Sequence, residues 1–446
     1  DAKLYIHQQR MLREALAGKH CIVVTGTGSG KTESFLLPVL ASIVREACRP
    51  GGGWEPASRP NQPNAWTKDS PPIWNYGRAN GRGESRPTAV RAMLLYPMNA
   101  LVEDQVSRLR KALDSDEALS AMDSYLGGNR IRFGRYNGST PVSGHPFVLD
   151  NGQPKKSPKQ QELKKKLGLY IEQYARLRGE LDATKVSLAE HERAGNSEEA
   201  EGTREKLEEL LEQLSFFPRM EPSANEMFHR WEMQNSPPDI LITNVSMLAI
   251  MLMRHAHPGI QGDRADSQVI EATAKWLEED REHHVFQLVI DELHLYRGAA
   301  GTEVGYLLRL LLERLGISPE SKQLQILASS ASLDSQSEST FEFLGGLFGL
   351  SPDEAQSRFH IETGESLYDE PKSNGFGQEV ATQLMSLGEQ PSAEAELDTA
   401  IMQLEESSSS VEAFLSAFWN PHVGRYQAKP LSDLGRVWFP TLAQDN

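Results

Sequence analysis

Residues 26–32 read Gly-Thr-Gly-Ser-Gly-Lys-Thr, directly after the apolar run Cys21 to Val24 and before an apolar helical pattern. Small residues let successive backbone N–H groups close around a β-phosphate, and the start of the following helix favours the anion. With Thr25 in front, Gly26, Thr27, Gly28, Ser29 and Gly30 form the cradle. Lys31 is placed to contact the β- and γ-phosphates, and the Thr32 hydroxyl to ligand Mg²⁺. The strict phosphate-loop pattern has Gly where Thr25 stands. A second group, Asp291-Glu292-Leu293-His294, follows the buried-looking run Leu288-Val289-Ile290. In an open parallel sheet, ligands bind beyond the carboxyl ends of the strands, which places both carboxylates beside the phosphate loop. Asp291 is then suited to hold Mg²⁺ through water, and Glu292 to polarise an attacking water. Read alone, two acids there would simply favour a helix start. Paired with the loop, the chemical reading wins.

These groups need a frame. Apolar runs at Cys21 to Val24, Ala92 to Tyr96, Asp239 to Thr243, Val285 to Ile290 and Leu324 to Ala328 alternate with helical patterns. That alternation marks an α/β fold with a parallel sheet flanked by helices. The clearest helix is Thr302 to Leu315, where Val304, Leu307, Leu308, Leu311, Leu312 and Leu315 share one face.

Two insertions break the rhythm. Residues 51–87 carry six Pro and six Gly, the composition of a long loop. Trp54, Trp66, Trp74 and Tyr76 lie there among Arg59, Arg78, Arg82 and Arg86. Such interleaving either stacks on a single nucleic-acid strand or packs on its own domain. Residues 155–217 are dense in Lys, Glu, Leu and Gln. Tyr170, Tyr174, Leu177, Leu181, Thr184 and Leu188 approximate a heptad seam, with Leu207, Leu210, Leu211 and Leu214 as a return face. The pattern predicts an antiparallel helical hairpin, either an arm for a partner or for DNA, or a solvated element with no ligand. Residues 387–410 are acidic and Ser-rich, reading as a linker before a short helical stretch at Val411 to Trp419.

Composition narrows the classes. Of 446 residues, 46 are Lys or Arg and 62 Asp or Glu, a formal charge of −16. That excludes attachment to DNA by global charge, though not through a local basic groove. Roughly 150 residues per domain predicts two or three folding units. Cys21 and Cys48 are the only cysteines, which rules out a disulfide framework and a cysteine zinc cluster. His255, His257, His283 and His284 lack carboxylates or cysteines at ligand spacing and read as solvated. Gly345-Gly346 reads as a helix end, and Trp231 and Met233 as packing under the strand that follows them. No apolar run approaches about 20 residues, so no membrane span is expected. With Asp1 already inside a helix-like pattern and no signal peptide, the expectation is a cytoplasmic piece of a longer protein.

Taken together, the phosphate loop, the Asp-Glu-x-His box and Ser330-Ala331-Ser332 resemble motifs I, II and III of superfamily-two helicases of the DEAD/DEAH type. Ser332 stands where Thr is usual and keeps the hydroxyl; Thr25 is a variation that superfamily allows. His7-Gln8 resembles the adenine-reading Gln motif, with Gln9 the alternative register. Tyr96 to Leu101, continuing to Asp104-Gln105, resembles motif Ia, with Pro97 and Asn99 as contacts. Gly134 to Gly138 resembles motif Ib, contributing Arg135 and Gly138, and Thr243-Asn244 resembles motif Ic. The resemblance implies that these three positions touch the nucleic-acid backbone. Leu293 to Gly298 and Pro237 to Asn244 look like the branch of large bacterial helicases with a long C-terminal extension, which includes repair and phage-defence helicases.

The resemblance implies a RecA-like ATP-binding domain over 1–365, interrupted at 51–87 and 155–217, then an acidic linker and mainly helical accessory segment over 366–446. It implies ATP and Mg²⁺ as cofactors, with Lys31, Asp291, Glu292 and His294 catalytic, Thr32 and Asp291 holding the metal, and Ser330, Ala331 and Ser332 coupling. DNA is favoured over RNA, with 3′ to 5′ travel. The Gln-x-x-Gly-Arg-x-Gly-Arg motif of the family's second RecA-like domain does not occur; Gly424-Arg425 and Gly435-Arg436 lack the pattern. Arginines at that position are worth about 10³-fold or more in phosphoryl transfer, so this chain by itself is expected to bind ATP and turn it over weakly. The rival readings are an RNA helicase or remodeller, and an ATP-gated assembly module docking a protein on the hairpin.

Overall fold

The five apolar runs become central strands of one eight-stranded sheet. In the computed structural model of the protein, residues 4–25, 30–58, 83–260, 263, 265–334, 337–363, 419–420 and 425–426 are described. The chain divides into two units, 1–363 and 364–446. In the first, β1 (His20–Val24), β2 (Ala92–Tyr96), β3 (Phe133–Tyr136), β6 (Glu226–Met227), β7 (Ile240–Asn244), β8 (Phe286–Ile290), β9 (Leu324–Ser330) and β10 (Phe359–Thr363) form the sheet. Its order is β10-β1-β9-β8-β2-β7-β3-β6, and every pairing is parallel. A fully parallel sheet needs both faces covered, and it has them. Cys21, Val23, Ala92, Leu94 and Tyr96 join a core with α1 (Ile6–Leu16), α2 (Lys31–Ala47) and α3 (Asn99–Leu113). Ile22, Val24, Met93 and Leu95 face α8 (Val245–Met253), α9 (Ser267–Glu279), α10 (Gly298–Leu315) and α11 (Glu338–Phe348). Alternation along each strand thus feeds two separate cores. This is the RecA-like α/β architecture.

On α10, Val304, Leu308, Leu311, Leu312 and Leu315 are buried and Leu307 is half-buried, as the period predicts. Gly345-Gly346 is not a helix end. Both lie inside α11, which stops at left-handed Gly349, and Gly345 passes too close to the Leu350 carbonyl to carry a side chain. Trp231 and Met233 are fully buried, in α7 (Arg230–Asn235).

At the amino ends of the strands, opposite the site described below, charge is buried. Asp239 accepts from Arg91 at 2.7 Å, from Arg86 at 3.2 Å and from the Arg132 backbone N–H at 2.7 Å. Arg91 also pairs with Glu46 at 2.6 Å and lies between the rings of Trp54 and Trp276, 5.0 and 4.9 Å from their centroids. Trp54 and Arg86 of the first insertion therefore pack on their own domain; Arg59, Trp66, Trp74, Tyr76, Arg78 and Arg82 lie outside the described residues.

Beyond β3, a small hairpin of β4 (Phe147–Asp150) and β5 (Gln153–Lys156) leads into α5 (Lys159–Ala194), which turns at left-handed Gly195 into α6 (Ser197–Ser215). The buried seam is Leu163, Leu167, Ile171, Tyr174, Leu177, Leu181 and Thr184. Ile171 replaces the expected Tyr170, which is half-buried, and Leu188 is half-buried as well. On the return face Leu210 is buried, whereas Leu211 is 48% exposed, since two consecutive helical residues cannot share one narrow seam. At the root, Asp116, first residue of α4 (Asp116–Tyr125), accepts from Arg178 and Arg219, both at 2.8 Å. Burial pushes this carboxyl up, and the two arginines outweigh it, holding it at about 2.

Of the second unit, the described residues form one antiparallel pair, β11 (Trp419–Asn420) with β12 (Arg425–Tyr426). Trp419 is thus strand, not the end of a helix; the acidic linker and the rest of the expected helical segment lie outside the described residues. Among the described residues no helix is long and apolar enough to cross a membrane.

His20 makes the domain acid-sensitive. It is 3% exposed, its Nδ1 accepts the Ile326 N–H at 3.2 Å, and its ring packs on Phe359. Burial, with Arg358 and Lys19 nearby, lowers its pKa from 6.5 to about 4. Its folded pKa lies below the unfolded value, so stability is complete above pH 6.5 and is lost as pH falls toward 4. The expected loss is about 2–4 kcal/mol. Thermal midpoints measured across that window should fall for the wild type and flatten in His20→Asn.

Candidate active site and nucleic-acid interface

The sheet order divides the carboxyl ends of the strands into two neighbouring groups. β1, β9 and β8 carry the phosphate loop, the Ser330 segment and the Asp-Glu box; β2, β7 and β3 carry the three segments resembling nucleic-acid motifs. Val24 pairs with Ser330, and Ile290 with Ala328, so the loop, Ser330 and Asp291 leave the sheet side by side.

Gly26, Thr27, Gly28 and Ser29 lie outside the described residues; Thr25 is buried before them and Gly30 opens α2 after them. Gly30 has φ +74°, a conformation that favours glycine, and a Cβ there would lie 2.5 Å from Gln8 Nε2 and push the Gln8 amide aside. Gln8 is buried and donates to the Gly30 carbonyl at 3.1 Å while accepting from the Tyr5 N–H at 3.0 Å. Gln9 is exposed and bonds back to the Leu4 carbonyl. Of the two registers, Gln8 is the one against the loop.

Lys31 Nζ lies 3.7 Å from Glu292 Oε1, and His294 Nδ1 lies 3.3 Å from Glu292 Oε2. Thr32 Oγ1 accepts from Gln105 Nε2 at 3.4 Å, tying α2 to the segment after β2. Glu292 is held at φ +52°, a conformation costing a non-glycine residue about 1–2 kcal/mol. What holds it is Ser329, whose hydroxyl accepts the Glu292 N–H at 3.2 Å and donates to Asp291 Oδ1. Burial, then the neighbouring Glu292 charge, push the Asp291 carboxyl above its ordinary range, opposed by Ser329. A carboxylate kept from water in this way is primed for a cation. Lys31, the Thr32 hydroxyl and Asp291 together offer one phosphate partner and two oxygen ligands, a set that fits Mg²⁺–nucleotide.

Sequence reading did not single out Ser329. In the run Ser329-Ser330-Ala331-Ser332 the register is ambiguous, and the strand continues one turn of the pleat further than its apolar part. Ser330 is buried, its hydroxyl accepting the Ser332 N–H at 3.3 Å; Ala331 N–H points to His294 Nδ1 at 3.4 Å; the Ser332 carbonyl accepts from Arg297 at 3.5 Å. The segment thus touches the Asp-Glu box at two points.

Gly301 fixes the box from behind. A Cβ there would lie 2.1 Å from the Tyr296 carbonyl oxygen. Gly301→Ala should displace the turn carrying Glu292 and His294, lower stability by about 1–3 kcal/mol and reduce turnover more than nucleotide affinity. Denaturation and steady-state kinetics together check this.

At the second group, three asparagines converge. Asn99 Oδ1 accepts from Asn244 Nδ2 at 2.6 Å and from Asn137 Nδ2 at 3.3 Å, linking the ends of β2, β7 and β3. Asn137, inside the expected run but not singled out, is the buried member. Pro97 is half-buried and Gly138 exposed. Arg135 is half-buried and paired with Glu103 of α3. The Thr243 hydroxyl is buried and donates to the Tyr136 carbonyl at 2.7 Å, so it orders β7 against β3 and does not face outward.

The histidines depart from expectation in part. His284 is buried, stacked on Trp276 with centroids 4.4 Å apart, and His257 bonds to Asp263; His255 and His283 are exposed.

Fold and site define a RecA-like unit with two neighbouring clusters of polar side chains at the same edge of its sheet. Residues 5–145 match the family described as DEAD/DEAH box helicase. It is 32% identical over 379 residues to Druantia protein DruE of Escherichia coli (strain UMEA 4076-1), a match covering 81% of this chain and 17% of that protein. The chain therefore spans about a sixth of the curated relative's length. Among solved structures it is similar to DUF1998 helicase MrfA bound to DNA, at 17% identity and TM-score 0.37, over 81% of this chain and 26% of that one. The same helicase bound to DNA and AMPPNP matches at 17% identity and TM-score 0.38, over 86% and 32%.

Proposed function

We propose that the chain is the N-terminal motor domain of an ATP-dependent nucleic-acid helicase or translocase, acting on DNA in preference to RNA. The observation that carries this reading is the approach of Lys31 to Glu292, with the asparagine cluster at the same carboxyl edge of the sheet. Bound Mg²⁺–ATP would supply the phosphoryl group and the polarising charge. Lys31 would neutralise the phosphates, Thr32 and Asp291 would hold the cation, and Glu292 would take the proton of the attacking water, with His294 fixing its carboxylate. Ser329 and Ser330, bridging the box to β9, couple that site to its surroundings. Asn99, Gly138 and Asn244, with Pro97 and Arg135, grip one strand by its backbone.

A second RecA-like domain is part of the proposal, since no Gln-x-x-Gly-Arg-x-Gly-Arg segment occurs in this chain. Closure of the two on ATP and reopening after hydrolysis would shift the grip along the strand. Turnover by this chain alone is expected to be slow. The setting proposed is cytoplasmic phage defence or DNA repair, as in the helicase branch the sequence resembles.

The test is ATP turnover by the full-length protein with and without single-stranded DNA or RNA, beside Lys31→Ala. Stimulation by DNA, abolished in the variant, is the expected result. Stimulation by RNA alone would replace DNA with RNA in the proposal. Lys31-dependent turnover indifferent to both would overturn the motor and favour an ATP-gated assembly module, its partner then sought on the α5–α6 hairpin.

A further inference from the structure

We propose that His145, His257 and Asp263 form a binding site for a divalent transition metal, with zinc the best fit. His145 lies in the loop between β3 and β4; His257 and Asp263 lie in the connection from α8 to α9. They are the one group of three or more His, Cys, Asp or Glu among the described residues whose ligand atoms all lie within 4.8 Å of one another. None belongs to the nucleotide site.

The hydrogen bonding of Asp263 is lopsided. Its side chain is wholly buried. Oδ2 lies 2.9 Å from His145 Nδ1, 2.9 Å from His257 Nδ1 and 2.8 Å from the His257 backbone nitrogen. Oδ1, equally buried, has no hydrogen-bond partner. Leaving a buried carboxylate oxygen unsatisfied is costly, while three donors crowd its twin. A metal ion removes the imbalance, because it takes the Nδ1 lone pairs of two neutral imidazoles and offers the carboxylate a partner of opposite charge.

Geometry and chemistry agree. Tetrahedral zinc with nitrogen and oxygen ligands at about 2.0–2.2 Å sets those atoms about 3.3–3.5 Å apart. Side-chain shifts of under about 1 Å convert the observed spacing to that one. Two imidazoles and one carboxylate select zinc or its transition-metal neighbours over Mg²⁺ and Ca²⁺, which prefer oxygen. The imidazole rings lie 4.1 Å apart and their side chains are 20% and 37% exposed, which leaves a path for the ion and room for water as fourth ligand.

Such an ion would staple two loops that nothing in the chain order joins. The first begins at Asn137 and Gly138, and its other contacts include Arg230 on the Asn137 carbonyl, Trp231 on the Gly144 carbonyl and Lys159 on Ser143. The second carries Asp266, which accepts the Tyr136 hydroxyl and pairs with Arg254.

The experiment is a Co²⁺ titration of the chelator-treated protein, followed by the visible d–d absorption of a low-coordinate site. Wild type is compared with His145→Ala and Asp263→Asn, with circular dichroism reporting that each is folded. His145→Ala, a partly exposed loop position, serves should Asp263→Asn unfold. The expected result is one equivalent of Co²⁺ bound by the wild type and displaced by Zn²⁺, with affinity about 100-fold or more weaker in each folded variant. Zn²⁺ should also raise the unfolding midpoint of the wild type and not of the variants. Absence of the band from the wild type, or a band that His145→Ala leaves unchanged, overturns the proposal.

Discussion

Glu292→Gln should slow ATP hydrolysis by the full-length protein about 10²–10⁴-fold while nucleotide still binds. The substitution keeps shape and removes the negative charge, and with it the ability to accept a proton. Glu292 sits where that ability matters: its two oxygens face Lys31 at 3.7 Å and His294 at 3.3 Å, and its backbone is held in the left-handed region. Glutamine loses the attraction of Lys31 but releases no neighbour from its packing, so the fold should hold. Lys31→Ala is the contrasting case, because it removes the phosphate partner itself and should abolish binding as well as turnover. Nucleotide affinity by fluorescence and single-turnover rates separate the two. A Glu292→Gln protein that hydrolyses ATP at the wild-type rate would remove Glu292 from the mechanism.

The second large effect concerns stability. Asp239→Ala should destabilise the first unit by about 3–5 kcal/mol, the range for breaking a buried ion pair from one side. Its carboxylate serves two guanidinium groups and one backbone N–H, with Arg86 and Arg91 3% and 2% exposed. Removing it strands positive charge where water cannot follow. Asp239→Asn keeps the acceptor for the Arg132 N–H and should cost less than alanine does. Urea denaturation followed by tryptophan fluorescence is a direct readout, since Trp54 and Trp276 both stack on Arg91. Equal stability of Asp239→Ala and wild type would mean that Glu84 and Glu46 suffice to neutralise Arg86 and Arg91.

Both predictions use residues that sequence reading reached by different routes. Lys31, Thr32, Asp291 and Glu292 were legible because strand, polar turn and helix follow one another without gap, and such order fixes which end of the strand the polar residues occupy. The central strands were legible because residues buried on both sides are mostly apolar, with Gln287 and Gln325 among the buried exceptions inside the predicted runs. β3 was not: Phe133–Tyr136 stands among Arg130, Arg132 and Arg135, whose charges are neutralised by Asp123, Glu84 and Glu103, all outside the strand. Ser329 was hidden in a run of like residues. The hairpin was legible as a pattern and misread in detail, because Tyr170 and Ile171, or Leu210 and Leu211, are equally apolar, and only the partner helix decides which turns inward. Asp263 and His145 meet across 118 positions, which no local pattern records.

The α5–α6 hairpin has a mechanical consequence. Helix α5 has 36 residues, and at 1.5 Å per residue it is about 54 Å long. Beyond Arg178 it is held, among the described residues, by α6, with Leu181, Thr184 and Ala200 the last buried residues toward the tip. Its root rests on the carboxyl end of α3, where Arg110 donates to the Phe216 carbonyl and pairs with Glu226. The amino end of α3 is Asn99, at the centre of the asparagine cluster. The tip lies one 19-residue α6 from that root, about 28 Å, so a tilt of α3 by about 5°, too small to break a packed contact, would carry it through about 2.5 Å by lever arm alone. The arm is thus a pointer on the grip: whatever is attached to its tip feels a magnified copy of displacements that begin at Asn99.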